Sequence, residues 1–269
     1  MNMKRLLALV VTVMMVLALC SCAAKGTDTE AFTLKLGFDA EYPPFGFIAD
    51  DGSYDGFDLA LAAEACDRLG WKLETIPIAW DSKDAELDSG NINCIWNGFT
   101  INGREDDYTW TVGYYDNSIV MVVLADSGIA TFADLSGKTV ITQAGSSALT
   151  ALEEDNVELT ATFDELLECA DYNSAYMELD SGAVDAIAVD VGVARYYMAS
   201  KSGSYAILDE IVASEQYGVG FKTGDAATMY AIQGVLLEMA ADGTMEEIAA
   251  DYVDDGLVVE SLVFPKAFQ

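Results

Sequence analysis

Short apolar runs alternate with segments of helical spacing along the chain from Thr33 onward. The run Phe32–Phe38 alternates apolar and polar residues and predicts a strand, because successive strand side chains point to opposite faces. Leu59–Leu69 has apolar residues at helical spacing, with Asp58 as a predicted N-cap and Gly70 just past its end. Strands that alternate with short helices predict an α/β fold with mostly parallel sheets.

The same rhythm continues toward the C-terminus. Further strands are predicted at Lys72–Ile78, Ile92–Trp96, Ser118–Leu124, Lys138–Thr142, Leu159–Phe163, Ala183–Val189 and Gln216–Phe221. Further helices are predicted at Ser82–Leu87, Phe132–Leu135, Ser146–Glu153, Phe163–Glu178, Val191–Ser200, Ala226–Ala241 and Met245–Tyr252.

The first residues have a different pattern, which indicates export. Lys4 and Arg5 precede an apolar run, Leu6–Leu19, that only Thr12 interrupts. A helix that spans a bilayer needs about 20 apolar residues, so this run is too short to remain as an anchor. A positive end, a short apolar core and small residues after it predict a secretory signal peptide over residues 1–21.

The end of that run resembles a bacterial lipobox. In Leu19-Cys20-Ser21-Cys22, an aliphatic residue stands three positions before Cys22 and a small residue stands just before it. We expect Cys22 to carry a lipid that anchors the chain outside the cytoplasm, since two acyl chains suffice for stable anchoring. Residues 22–31 are small and polar, as in a flexible tether. The alternative is an ordinary signal peptide cleaved nearby.

Charge and composition exclude several classes of function. The chain has 13 Lys and Arg residues against 45 Asp and Glu residues. Without residues 1–21, its net charge would be −34, which repels phosphate backbones and argues against a nucleic-acid partner. Histidine is missing from the sequence, which removes Ser-His-Asp and Cys-His catalysis. The three cysteines beyond residue 22 form no CxxC pair, so we expect no zinc site and at least one free thiol.

Polar residues stand where the predicted strands end, and each group could contribute to a ligand site. In an open α/β sheet, ligands bind beyond the carboxyl ends of the strands. The groups are Asp39–Phe45 with Gly56-Phe57-Asp58, then Trp80, then Asn97–Arg104, and finally Gln143–Ser147 with Val189-Asp190.

The order and spacing of these groups resemble the periplasmic-type extracellular solute-binding proteins of polar amino acid ABC transporters. The resemblance runs from about Thr33 to Tyr252. Its motifs are Tyr42-Pro43-Pro44-Phe45 followed by Gly56-Phe57-Asp58, Asn97-Gly98-Phe99-Thr100 ending in Arg104, Gly137–Val140 leading to Gly145-Ser146-Ser147, and Ser181–Ala186 before Asp190.

The resemblance implies two α/β lobes that close on a ligand. Lobe 1 would comprise residues 32–120 and 219–269, and lobe 2 would comprise residues 121–218. Two crossing strands would join the lobes, with hinges at Ser118–Val122 and Ser214–Gly218. The implied partners are an amino acid, an ABC permease and its ATPase, and we expect a monomer without cofactor, metal or catalytic activity.

The resemblance also implies a role for each candidate residue. Arg104 would bind the α-carboxylate as a bidentate donor, with help from backbone N–H groups at Thr100 and Ser147. The α-ammonium would lie against the Asp190 carboxylate, the Gly98 carbonyl and the Thr100 hydroxyl. Tyr42 and Trp80 would enclose the ligand side chain, and its end would contact Asp39, Asn97 and Gln143.

Each assignment has a plainer alternative. Arg104 could form a surface ion pair, Asp190 could cap the following helix, and Tyr42 and Trp80 could be core aromatics. At the level of function, the chain could instead serve a signalling receptor as a ligand sensor. It could also resemble cyclohexadienyl dehydratases of the same fold, with Asp39 or Glu41 as the acid. The sequence leaves the ligand open between cationic amino acids and residues such as glutamine or cystine.

Overall fold

A computed structural model describes residues 31–263 of this protein. The predicted signal peptide, the predicted lipid-attachment residue Cys22 and all of the predicted tether except Ala31 lie outside this range. Within it, no helix is both long enough and apolar enough to cross a bilayer.

The strands form two five-stranded sheets and one small sheet. In chain order they are β1 (Thr33–Phe38), β2 (Glu41–Tyr42), β3 (Gly46–Ile48), β4 (Tyr54–Asp55), β5 (Lys72–Pro77), β6 (Cys94–Ile95), β7 (Tyr108–Trp110), β8 (Tyr115–Leu124), β9 (Thr139–Gln143), β10 (Glu165–Cys169), β11 (Ala186–Asp190), β12 (Tyr205–Tyr217) and β13 (Gly220–Lys222).

Helices lie between most of the strands. They are α1 (Phe57–Leu69), α2 (Lys83–Ser89), α3 (Ser147–Thr150), α4 (Val157–Thr160), α5 (Tyr172–Ser181), α6 (Val191–Ser200), α7 (Ala226–Asp242) and α8 (Thr244–Ala250). Short 3₁₀ turns occur at Trp80–Ser82, Phe132–Leu135 and Val259–Ser261, and a π-turn at Ala151–Asp155 continues α3.

Both large sheets combine parallel and antiparallel strands. The first has the order β5-β1-β6-β13-β7, in which β5, β1 and β6 are parallel and β13 is antiparallel to its neighbours. The second has the order β10-β9-β11-β8-β12, in which β10, β9 and β11 are parallel. The predicted α/β class is therefore confirmed, and the sheets are mixed.

The chain passes between the two large sheets at residues 111–114 and 218–219. The long strands β8 and β12 pair antiparallel from Tyr115↔Tyr217 to Leu124↔Tyr205. The predicted hinge ranges 118–122 and 214–218 lie largely within this paired region. The lobe boundaries given above stay a prediction.

Buried aromatic rings fill the region where the sheets meet. Phe45 follows β2 and packs edge-on against Tyr115 at 5.5 Å and Tyr217 at 5.2 Å between ring centroids. Tyr115 and Tyr217 are themselves stacked at 5.8 Å. All three rings are buried, so the segment after β2, the start of β8 and the end of β12 share one core.

Four local predictions were wrong. Gln216–Phe221 is not one strand, because β12 ends at Tyr217 and β13 begins at Gly220. Residues 163–178 are not one helix, because Glu165–Cys169 is a strand and α5 begins only after Asp171, whose carboxylate caps it through the Ser174 N–H at 2.8 Å. Residues 157–160 form α4 where a strand was expected at Leu159–Phe163. Asp58 does not cap α1, since Gly56 occupies the N-cap position and Asp58 lies fully buried inside the helix.

The three cysteines of the described range are free thiols. Cys66 in α1 and Cys94 in β6 are buried, and Cys169 is half-buried at the end of β10, where the sequence had suggested a helix. Burial raises the pKa of each thiol, which keeps it protonated and unreactive at neutral pH.

Candidate functional site

One small cavity lies where strand ends of both large sheets face each other. Its volume is about 10 Å³, roughly the space of one water molecule. Ser146, which the sequence analysis did not select, contributes to its wall. The other lining residues were all predicted, and they are Tyr42, Trp80, Asn97, Gly98, Thr100, Arg104, Gln143, Ser147 and Asp190.

Arg104 presents its guanidinium to this cavity. Its Nη1 donates to the Thr100 carbonyl and its Nη2 to the Gly145 carbonyl, each at 3.3 Å. Within residues 31–263 it forms no ion pair, so the surface-pair alternative finds no support there. An arginine held by carbonyls and not neutralised by an acid can accept a carboxylate in bidentate geometry.

Asp190 ends β11 and is almost completely buried beside the cavity. It occupies the N-cap position of α6, but its side chain makes no capping bond. It accepts hydrogen bonds from the Tyr217 hydroxyl and from Asn117 Nδ2, the latter at 2.7 Å. The carboxylate lines the cavity and does not cap the helix with its side chain, which was the alternative role for Asp190.

A second buried carboxyl, Glu215, lies next to Asp190. Asn117 Nδ2 donates to it at 2.8 Å, and the Thr100 hydroxyl donates to it at 2.9 Å. Burial, followed by the charge of Asp190, raises the pKa of Glu215 to about 8. Burial also raises the pKa of Asp190.

The aromatic side chains Tyr42 and Trp80 form two walls of the cavity. The Tyr42 hydroxyl lies 3.3 Å from that of Tyr217, and its ring contacts Phe45 at 5.8 Å between centroids. Trp80 packs edge-on against Phe99 at 5.5 Å. Both rings also belong to hydrophobic clusters, so they have a packing role as well as a place on the cavity wall.

Asp39, Asn97 and Gln143 form a hydrogen-bonded group at another edge of the cavity. Asn97 Oδ1 accepts from the Asp39 N–H at 2.9 Å, and Gln143 Nε2 donates to the Asp39 carboxylate from the other sheet. Asp39 is buried behind Gln143 and does not line the cavity itself, and burial raises its pKa. The buried Asn97 Nδ2 has no protein partner, which leaves a donor for a ligand.

The backbone at Gly98 forms a third side of the cavity, and the buried Asp58 holds it in place. Asp58 accepts from the Gly98 N–H at 2.6 Å and from the Tyr114 hydroxyl at 2.7 Å, and burial raises its pKa to about 7. Gly98 has φ +55°, and a Cβ there would lie 2.7 Å from the Tyr42 ring. Only glycine lets this loop approach the aromatic wall so closely.

Lys83 lies behind Trp80, and the sequence analysis missed it. It is almost completely buried, with its ammonium 5.3 Å from the Trp80 ring centroid and 3.1 Å from the Gly145 carbonyl across the cavity. Burial, with the nearby charge of Arg104, lowers its pKa to about 8. Together with the contact between Thr100 and Ser147 hydroxyls at 3.2 Å, this bond joins the two sides of the cavity.

Comparison with known proteins identifies the family of the chain. The family model of the bacterial extracellular solute-binding proteins, family 3, matches residues 34–255. The chain belongs to this family.

Two curated relatives and one solved structure illustrate the similarity. The L-cystine-binding protein TcyJ of Escherichia coli K12 is 29% identical, with 82% of each chain covered. The arginine-binding extracellular protein ArtP of Bacillus subtilis is 27% identical and covers 91% of this chain and 96% of its own. A substrate-binding protein of an ABC uptake transporter from Streptococcus pneumoniae, crystallised with histidine, superposes with a TM-score of 0.80 at 30% identity, covering 84% and 94%.

These matches confirm the family and the two-lobed periplasmic-binding-protein fold that the sequence motifs implied. They extend over both large sheets. The role of each cavity residue in holding a ligand stays a prediction, which the geometry above makes specific. The sequence analysis gave no role to Ser146, although it adjoins the selected Ser147. It also missed Glu215. In β12, Glu215 lies on the same buried face as Tyr217, so a charged residue stands at a position where strand alternation predicts a core residue.

Proposed function

We propose that this chain is the substrate-binding lipoprotein of an ABC importer and captures a polar or charged L-amino acid in the cavity between its lobes. The observation that supports this best is the division of charge around one cavity. Arg104, which has no acidic partner among residues 31–263, faces it from one side, and the buried carboxyl Asp190 faces it from another. This pattern complements an α-carboxylate and an α-ammonium.

Ligand entry would require the two sides to separate. The cavity has room for about one water molecule. Beside it, Lys83 and Arg104 donate to the Gly145 carbonyl and Gln143 donates to the Asp39 carboxylate, so direct hydrogen bonds join the segments of the two sheets. Opening would break these bonds, and closure around an amino acid would re-form them with the ligand enclosed. A permease could then distinguish loaded from empty protein by shape.

The chemistry of the cavity edge favours a polar ligand side chain. Asn97 Nδ2 is a hydrogen-bond donor without a protein partner, and Gln143 contributes its side-chain amide. The Asp39 carboxyl lies behind Gln143, which donates to it. The relatives named above bind cystine, arginine and histidine, which all carry polar groups at that end. Transfer to a permease and anchoring through Cys22 complete the proposed function.

The direct test is a thermal-shift screen of the purified soluble domain against the twenty L-amino acids and L-cystine. A ligand that binds only the folded state raises the melting temperature. We expect at least one polar amino acid to do so, and Leu or Val not to do so. If no compound in the screen raises the melting temperature, the proposed function is wrong.

A further inference from the structure

Asp190 and Glu215 are neighbouring buried carboxyls that share a single hydrogen-bond donor. Asn117 Nδ2 lies 2.7 Å from Asp190 Oδ1 and 2.8 Å from Glu215 Oε1. Asp190 is 3% exposed and Glu215 is 6% exposed. The two residues come from adjacent regions of one sheet, because β11 and β12 both pair with β8, which carries Asn117.

No cation of residues 31–263 forms an ion pair with either carboxyl. The titratable groups that face the pair are tyrosines, whose pKa values burial raises well above 10, so they remain neutral. They are Tyr42 from β2, Tyr172 from α5 and Tyr217 from β12. Arg104 also lines the cavity, and its Nη1 is bonded to the Thr100 carbonyl and not to the pair.

Two carboxylates so close together and so well buried cannot both ionise without a compensating charge. A proton shared by the pair removes one of the two charges. A primary ammonium in the same place supplies the missing positive charge and makes the proton unnecessary. The Thr100 hydroxyl, which donates to Glu215 at 2.9 Å, links this pair directly to the cavity wall.

We propose that Asp190 and Glu215 together form the ammonium site, hold one proton between them when no cation is bound, and release it to solvent when the ammonium of an amino acid arrives. Asp190 lines the cavity, and Glu215 lies beside it, joined to the site through Asn117 and Thr100. This inference rests on the proposed function and adds a second carboxyl to its site.

The exchange predicts a pH dependence with a definite sign. Below about pH 8 the free pair carries its proton, and binding releases it. Affinity therefore rises with pH, by at most about tenfold per pH unit between pH 6 and 7.5, and levels off above pH 8. The ligand keeps its ammonium protons throughout, so an N-acetyl derivative cannot drive the release.

The first experiment measures proton release by the wild-type protein. Calorimetric titrations with L-arginine, L-histidine and L-cystine at pH 7 are compared in phosphate and Tris, whose ionisation enthalpies differ. We expect close to one proton released per bound amino acid, after subtraction of the ligand's own titration. Binding with no buffer dependence would overturn the proposal, and this comparison needs no variant that has to fold.

Glu215→Gln provides the matched variant. This variant should release only a small fraction of the protons that the wild type releases, and its affinity should rise less steeply between pH 6 and 7.5. Glu165→Gln, on an exposed position of β10, should retain both properties of the wild type. If Glu215→Gln releases as many protons as the wild type, Glu215 does not hold the proton.

A ligand-free titration separates this proposal from the proposed function. Because the pKa of Glu215 is higher in the folded protein than its ordinary value of 4.5, ionisation favours unfolding, and wild-type stability falls as pH rises from about 4.5 to 8. Glu215→Gln should show a shallower fall in melting temperature over that interval. An identical fall would contradict the shared proton, whether or not any amino acid binds. If none of the three amino acids binds, the same titrations are made with the amino acid that raises the melting temperature most in the screen, and only failure of the whole screen contradicts the proposed function.

Discussion

At the scale of single residues, the cavity is defined by charges without opposite partners. Arg104 is bonded to two carbonyls, and Asp190 is bonded to an amide and a hydroxyl. Burying such groups costs free energy unless a partner compensates the charge. Arg68, by contrast, is paired with Glu64 and Asp242. The proposed ligand, which carries both opposite charges, would supply the partners that Arg104 and Asp190 lack.

Arg104→Gln and Asp190→Asn should each weaken amino-acid binding by about 2–5 kcal/mol, or roughly 30-fold to several thousandfold. The physical reason is that each change leaves one ligand charge buried without its partner. Calorimetry on the folded variants measures this loss. Arg68→Gln removes a distant arginine and should leave affinity unchanged. Wild-type affinity in either cavity variant would refute its assigned role.

Gly98→Ala should impair binding more than its effect on stability suggests. The change adds strain of about 1 kcal/mol at positive φ and places a Cβ against the Tyr42 wall. The control is Gly52→Ala, which has φ +84° but open space around its Cβ. We expect a larger loss of stability in Gly98→Ala, measured by urea unfolding, because its Cβ meets buried rings, and a loss of affinity of tenfold or more in that variant alone. Equal affinities in the two variants would show that the close approach is unimportant.

At the scale of elements, the sequence predicted segments with a regular apolar pattern better than segments whose structure depends on distant pairing. The pattern of Lys72–Ile78 and Val191–Ser200 is regular, and the structure has β5 and α6 there. Glu165–Cys169 resembles a helix because Leu166 and Leu167 continue into the spacing of α5. Parallel pairing with β9, a contact between distant segments, makes this stretch a strand.

The candidate site was predictable to the extent that its residues follow strands. Nine cavity residues stand in motifs at strand ends, so a local pattern sufficed to select them. Glu215 stands 115 residues from its partner Thr100 and lies inside β12, most of which the sequence pattern did not reveal. Lys83 contacts Gly145 from 62 residues away. Such contacts depend on the tertiary arrangement, which no local spacing encodes.

Lys83 tests whether contacts between elements control closure. Lys83→Met keeps most of the buried volume of the side chain and removes its bond to the Gly145 carbonyl, a charged hydrogen bond across the cavity. We expect the amino acid to dissociate about tenfold faster, measured by stopped-flow fluorescence of the nearby Trp80. Lys222→Met, which removes an exposed lysine paired with Asp88, should leave dissociation unchanged. An unchanged rate in Lys83→Met would mean that this bond does not hold the closed state.

At the scale of the whole molecule, the proposed function combines a lipid anchor with a receptor that closes on its ligand. A lipid on Cys22 would keep the strongly acidic body near the membrane and close to the proposed permease. The residues that would decide this, 1–30, lie outside the described range, so the anchor rests on the sequence pattern Leu19-Cys20-Ser21-Cys22.

Cys22→Ala should move the protein from the membrane fraction to the soluble fraction of its cells, since the lipid cannot be attached. Immunoblots of fractionated cells and labelling with a radioactive fatty acid measure the change. Cys20→Ala is the matched control and should stay in the membrane fraction with its label. Labelled, membrane-bound Cys22→Ala protein would contradict the proposed anchor.

The central claim is that one cavity recognises both charges of an amino acid. Calorimetry of the wild-type protein tests it most directly, with the amino acid that gives the largest thermal shift, its α-carboxamide and its N-acetyl derivative. The account predicts binding of one amino acid per chain and the loss of nearly all affinity for both derivatives, because Arg104 and Asp190 each lose their partner. Binding of either derivative as tightly as the amino acid would contradict it.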